Sequence, residues 1–165
     1  MTVPDPPSDS ALRSILAKVK SVALVGVSTN PVRPSYYVGR YLGLKGYKVL
    51  PVNPVYAGQS VFGAEIAPSL AALAARGERV DMVDIFRRSA EAGAVVDEAL
   101  EHLLDHGLKV IWMQIGVVDE DAAARARAAG VEVVMNLCPK MEYQRLHGEL
   151  SMGGFNTGRL SSKLT

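Results

Sequence analysis

Residues 22–42 read VALVGVSTNPVRPSYYVGRYL. The apolar run from Val22 to Val27 is broken only by Gly26. A polar turn with two prolines follows, and then apolar residues at helical spacing. Strand, turn and helix in this order open a parallel α/β unit. Gly26 allows a sharp exit from the strand. Pro34 suits the first helical position, which leaves backbone N–H groups without intrahelical partners at the helix start. Such a start, preceded by small residues, is an anion site. Ser28, Thr29 and Asn30 add hydroxyl and amide groups. Arg33 adds a fixed charge that can hold a phosphate with two donors. The turn therefore predicts a phosphate-bearing ligand, although the G-x-G-x-x-G spacing of dinucleotide sites is missing.

The alternation continues outward. Residues 8–19 predict a helix with Ser8 or Asp9 as N-cap. It is preceded by a proline-rich arm over residues 1–7. KVLPVNP is a second strand, SVFGAE a short edge strand, and PSLAALAARG a helix closed by Gly77. VDMVDIF, KVIWMQIG and VEVVMN are three more strands. Between and after them lie a helix capped by Ser89 and stopped by Gly107, the helix DEDAAARARAAG, and PKMEYQRL. Continuous apolar strands separated by helices imply an α/β fold, a Rossmann-like doubly wound parallel sheet. The expected strand order is 3-2-1-4-5-6, with SVF at one edge. Residues 8–147 form the domain, and the Gly/Ser-rich segment 148–165 is a tail or an arm for a partner.

The 165 residues suit one domain. Eighteen Lys and Arg against seventeen Asp and Glu give no support for nucleic-acid or anionic-membrane binding. Cys138 is the single cysteine, so no intrachain disulfide forms. His102 and His106 stand four apart without a third ligand, and no metal site is predicted. The N-terminus has no secretory pattern and no apolar run reaches membrane-spanning length, so a cytoplasmic protein is expected.

In a doubly wound sheet, ligands sit beyond the carboxyl ends of the strands. The relevant loops follow Val27, Val52, Ile85, Met113 and Met135. The second strand ends at Asn53-Pro54, where an NAD site usually carries an acid for the ribose. NAD is disfavoured, while a ribose bearing a further phosphate is permitted. Phe86 can stack on a flat ring, and Arg87 and Arg88 precede a helix start. Gln114 offers a donor and an acceptor, beside Ile115 and Gly116. Cys138 follows the last strand, with Lys140 as a charge able to favour its thiolate and His147 as the candidate base.

Taken together, VALVGVSTNPVRPSYYVGRYL, GYKVLPVNP, VDMVDIFRR, VIWMQIGVVDEDAAARARAAGVEVVMNLCP and EYQRL make the chain resemble the small stand-alone CoA-binding proteins. These are similar to the CoA-binding domain of the succinyl-CoA synthetase alpha subunit and of ADP-forming acyl-CoA synthetases. The resemblance covers roughly Leu12 to Leu146. It implies coenzyme A as ligand, with its phosphates on Ser28, Thr29, Asn30, Arg33, Pro34 and Ser35. The adenosine would meet Val52, Asn53 and Pro54. The pantetheine would be flanked by Phe86 and Arg87 and by Gln114 and Gly116. The expected role is binding of CoA or an acyl-CoA without catalysis, alone or as a regulatory subunit. An NAD(P)-dependent oxidoreductase and a subunit of a larger acyl-CoA ligase are the alternatives. The ligases carry a phosphorylated histidine in a further domain, and none of the three histidines here falls in a matching motif.

Overall fold

A computed structural model describes residues 3–149. In chain order the elements are α1 (Asp9–Lys18), β1 (Ser21–Val25), α2 (Pro34–Leu44), β2 (Lys48–Val52), β3 (Ser60–Val61), β4 (Ala64–Glu65), α3 (Leu70–Ala75), β5 (Met82–Ile85), α4 (Ser89–His102), β6 (Val110–Met113), α5 (Glu120–Ala128), β7 (Glu132–Val134) and α6 (Pro139–Leu146). Five strands form one parallel sheet in the order β2-β1-β5-β6-β7. The fold is Rossmann-like, with helices on both faces.

Strand alternation decides which side chain meets which helix layer. Ala23, Val25, Val83, Ile85, Ile111 and Met113 pack with α3, α4 and α5. Val22, Leu24, Met82, Val110 and Trp112 pack with α1, α2 and α6. Both faces are covered, which is why these strands read as continuous apolar runs. Trp112 is fully buried and its Nε1–H donates to the Leu137 carbonyl at 2.8 Å, as a buried indole requires. Ser8, Ser69 and Asp119 cap α1, α3 and α5, each accepting a backbone N–H.

The structure corrects three details. The short SVF segment is not the edge of the main sheet. It pairs antiparallel with Ala64–Glu65 in a separate two-stranded hairpin, turned at Phe62 and Gly63, both with positive φ. The exposed side of β2 is met instead by Ala67, whose N–H donates to the Pro51 carbonyl at 2.9 Å. Two residues before a tight turn are too few to continue a ladder, so the hairpin closes on itself. Pro68 precedes the N-cap Ser69 rather than sitting inside α3. Ser89 is the first residue of α4 and not its cap, because its hydroxyl is used elsewhere.

The expected tail falls mostly on residues 150–165, which lie outside the described residues. Glu149 accepts a hydrogen bond from the Tyr41 hydroxyl and pairs with Lys45 at 2.6 Å. Among the described residues, no helix is long and apolar enough to cross a membrane.

Candidate functional site

The five strands point their carboxyl ends to one pole, and a cleft of about 760 Å³ opens there. Its walls come from the start of α2, the loops after β5 and β6, and the start of α6. Pro34, Phe86, Arg87, Gln114, Ile115, Gly116 and Cys138 all line it. The remaining predicted residues form the first two loops, beside the start of α2.

The loop after β1 is built from its own hydrogen bonds. The Gly26 N–H donates to the Val52 carbonyl at 2.9 Å. Ser28 donates its N–H to Ser35 Oγ at 2.9 Å, and Ser28 Oγ accepts from Asn30 N–H at 3.0 Å. Asn30 Oδ1 accepts from Val32 N–H at 3.1 Å. Oxygens of Ser28, Asn30 and Ser35 are thus occupied in shaping the turn, while the two hydroxyl hydrogens remain as donors. Thr29 is half-buried within it. Arg33 is exposed, makes no ion pair among the described residues and immediately precedes α2. No acid lies in the first turn of that helix. A positive helix end, a guanidinium without an acid partner among the described residues and no carboxylate in the first turn are an arrangement that can hold an anion.

Gly26 has φ +92°, and a Cβ there would stand 2.9 Å from the Phe86 carbonyl oxygen. The glycine is required twice over, by its backbone and by the close approach of the third loop. Asn53 is buried, and its amide is committed at both ends. Nδ2 donates to the Val27 carbonyl at 2.8 Å and Oδ1 accepts from Val55 N–H at 2.9 Å. It ties the second loop to the first. Val52 belongs to the core beneath, and Pro54 is exposed beside it.

Arg87 and Arg88 both pair with Glu91, at 3.0 and 2.8 Å, so one of their two charges is offset and one remains. The loop after β6 is held from two sides. Gly116 N–H donates to Asn136 Oδ1 at 2.8 Å. The Ser89 hydroxyl donates to the Gly116 carbonyl at 3.3 Å and accepts from Val118 N–H at 3.0 Å. Asn136 takes φ +62°, a left-handed backbone that asparagine tolerates better than most residues. Asn136 and Ser89 hold this loop; the sequence suggests only a helix cap for Ser89 and no role for Asn136. An asparagine just after a strand was the available signal. Gln114 is 7% exposed and its Oε1 has no hydrogen-bond partner among the described residues.

Cys138 lies at the N-cap of α6 and is 5% exposed. Burial pushes its thiol up. The Met141 and Lys140 N–H groups and the Gln114 side chain pull the other way but do not offset it. The expected thiolate is therefore not favoured. The candidate base is also misplaced. His147 caps the opposite end of α6, about 13 Å away by helical rise, with its ring stacked on Tyr143 at 3.9 Å. Asp84 on β5 is fully buried, and neither carboxylate oxygen has a hydrogen-bond partner among the described residues. Burial holds this carboxyl well above its ordinary range. Among the described residues, no cluster of three or more His, Cys, Asp or Glu could hold a metal ion.

The profile of a family described as "CoA binding domain" matches residues 20–144. "Uncharacterized protein YneT" of Bacillus subtilis is 33% identical over 137 residues, covering 83% of this chain and 95% of that protein. A Thermus thermophilus structure, cell-free ID.343, is similar at TM-score 0.76 and 35% identity, covering 85% of this chain and 99% of that one. A hypothetical protein from Pyrococcus horikoshii OT3 is similar at TM-score 0.78 and 33% identity, covering 90% and 100%. A dinucleotide forming acetyl-coenzyme A synthetase 1 from Ca. Korarchaeum cryptofilum shares the fold at TM-score 0.54 and 22% identity, over 69% of this chain and 25% of its own. The chain belongs to the CoA binding domain family.

Proposed function

We propose, from membership of the CoA binding domain family, that this chain binds coenzyme A or an acyl-CoA in the cleft at the strand ends, as a binding or regulatory protein and not as a catalyst. The observation that carries the reading is the cleft's first wall. α2 begins there with Pro34, beneath an Arg33 that has no acid partner among the described residues. Diphosphate suits that helix end and the hydroxyl donors of Ser28 and Ser35. The pantetheine arm then follows the half-buried Phe86, the exposed Ile115 and the braced loop at Gly116 toward Cys138. Asn53 supports CoA over NAD, since its amide is consumed by backbone and no acid stands there for a ribose diol. The absence of catalysis is supported by the buried, up-shifted thiol of Cys138 and by its distance from His147.

Native mass spectrometry of the purified protein, with CoA and NAD added in equal amounts, tests this reading. A retained adduct of CoA mass is expected. An NAD adduct without a CoA adduct overturns it.

A further inference from the structure

Two residues of this fold each carry a local cost that the other explains. Phe62 has φ +55°, a left-handed backbone that bulky side chains rarely adopt. It opens the tight turn between β3 and β4, where asparagine, aspartate or glycine is the usual choice. Gly39 stands inside α2, where alanine would favour the helix more. A Cβ on Gly39 would lie 2.6 Å from two atoms of the Phe62 ring and 3.1 Å from a Leu24 methyl. The glycine is a notch in the helix, and the ring fills it. Tyr36, one turn earlier on the same face, also packs on the ring, with centroids 5.4 Å apart.

The turn belongs to a segment that leaves the main sheet and comes straight back. Asn53 N–H donates to the Ala67 carbonyl and Ala67 N–H to the Pro51 carbonyl, both at 2.9 Å. Residues 54–66 therefore start and finish at the end of β2, and their hairpin joins no strand of the main sheet. A surface loop with its ends tied together is an Ω-type strap, a form that often serves function. One end, Pro54, follows Asn53, which holds the first loop through the Val27 carbonyl. The tip, Phe62, grips the first two turns of α2. Those turns begin at Arg33 and Pro34, and Ser35 Oγ there accepts the Ser28 N–H. The strap thus ties the loop after β2 to the start of α2, the two walls on which the site's geometry depends. Phe62 itself is not among the residues lining the strand-end cleft.

We propose that Phe62 is a positioning residue for this site. Seated in the Gly39 notch, it fixes the start of α2 relative to Asn53 and Pro54, and it acts on the ligand through the helix. This rests on the CoA reading above.

Isothermal titration with CoA, beside amide exchange and urea unfolding, tests it in Gly39→Ala, Phe62→Asn and the double variant. Gly39→Ala favours the helix but fills the notch, and Phe62→Asn suits the turn but removes the ring. Each should weaken CoA binding about 2- to 30-fold, as loss of a coupling contact would give. Each should also speed exchange at the Tyr36 and Tyr37 amides, which close the first turn of α2 on the Arg33 carbonyl, and leave β1 protected. The double variant should bind no more weakly than the weaker single, because both changes remove one contact. Gly39→Ala decides the matter if Phe62→Asn does not fold. Unchanged CoA affinity in the single variants, with only a lower urea midpoint, overturns the proposal and leaves the CoA reading intact. Losses that multiply in the double variant also overturn it, because the two residues would then act independently. Failure of the native protein to bind CoA overturns the CoA reading, and this proposal with it.

Discussion

Arg33 and Gly26 show two ways in which a single residue contributes to the proposed site. The Arg33 backbone starts α2, but its exposed side chain makes no ion pair among the described residues, so its charge is available to a ligand. Arg33→Ala should weaken CoA binding about 10- to 100-fold, the value of one charge-assisted phosphate contact, with an unchanged melting temperature. Calorimetric titration beside a thermal melt checks both halves. Gly26 is the opposite case. An alanine there must adopt φ near +92° and crowd the Phe86 carbonyl. Gly26→Ala should destabilise the fold by about 1–3 kcal/mol, read from urea unfolding, and lose ligand affinity as well. Both residues were legible in the sequence, since a glycine at a strand exit and an arginine before a helix proline carry their meaning locally. Cys138 was legible in position but not in chemistry. Its neighbour Lys140 suggested a thiolate, whereas burial, a tertiary property, pushes the thiol up.

At the scale of elements, β5 carries two acidic residues of opposite behaviour. Asp81, just before the strand, is buried, which alone would raise its carboxyl. Hydrogen bonds from Lys109 Nζ and from the Lys20 and Ser21 N–H groups outweigh this and hold it below its usual range. The stability it supplies is present above the ordinary carboxylate range and is lost as the pH falls through its lowered value. Asp84, within the strand, has its carboxyl pushed well above the ordinary range by burial in the fold, whereas in the unfolded chain it ionises at about pH 4. Stability is therefore lost as the pH rises above that value, until the folded carboxyl also ionises. Asp84→Asn should match the native protein at pH 3.5 and exceed it at pH 7, in urea midpoints measured at both. An equal difference at the two pH values would contradict a neutral Asp84. The loop after β6 is an element held by others, through Asn136 and Ser89. Asn136→Ala should lower ligand affinity severalfold and increase amide exchange at Gly116, with the sheet unaffected. Sequence could not show these braces, because each joins residues 20 or more positions apart. The same limit explains SVF. Its β-branched and aromatic residues read as an edge strand, but the turn at Phe62 and Gly63 folds it back on itself before it can reach β2.

The molecule as a whole was readable because its two core layers repeat one rule, apolar strands alternating with amphipathic helices. That pattern placed the five loops at one pole, where the proposed ligand site lies. Beyond its reach lay the depth of the cleft, the pairing of Arg87 and Arg88 with Glu91, and the packing of Lys140 against Tyr37 and Tyr41, all products of packing. The central claim concerns that pole, and thermal melting with CoA and with NAD at equal concentration tests it most directly. At about 100 times its dissociation constant, CoA should stabilise the native state by roughly 2.7 kcal/mol. For a chain of this length that corresponds to a rise in Tm of roughly 5–10 °C, with NAD giving far less. A melt raised by NAD and untouched by CoA would contradict the account.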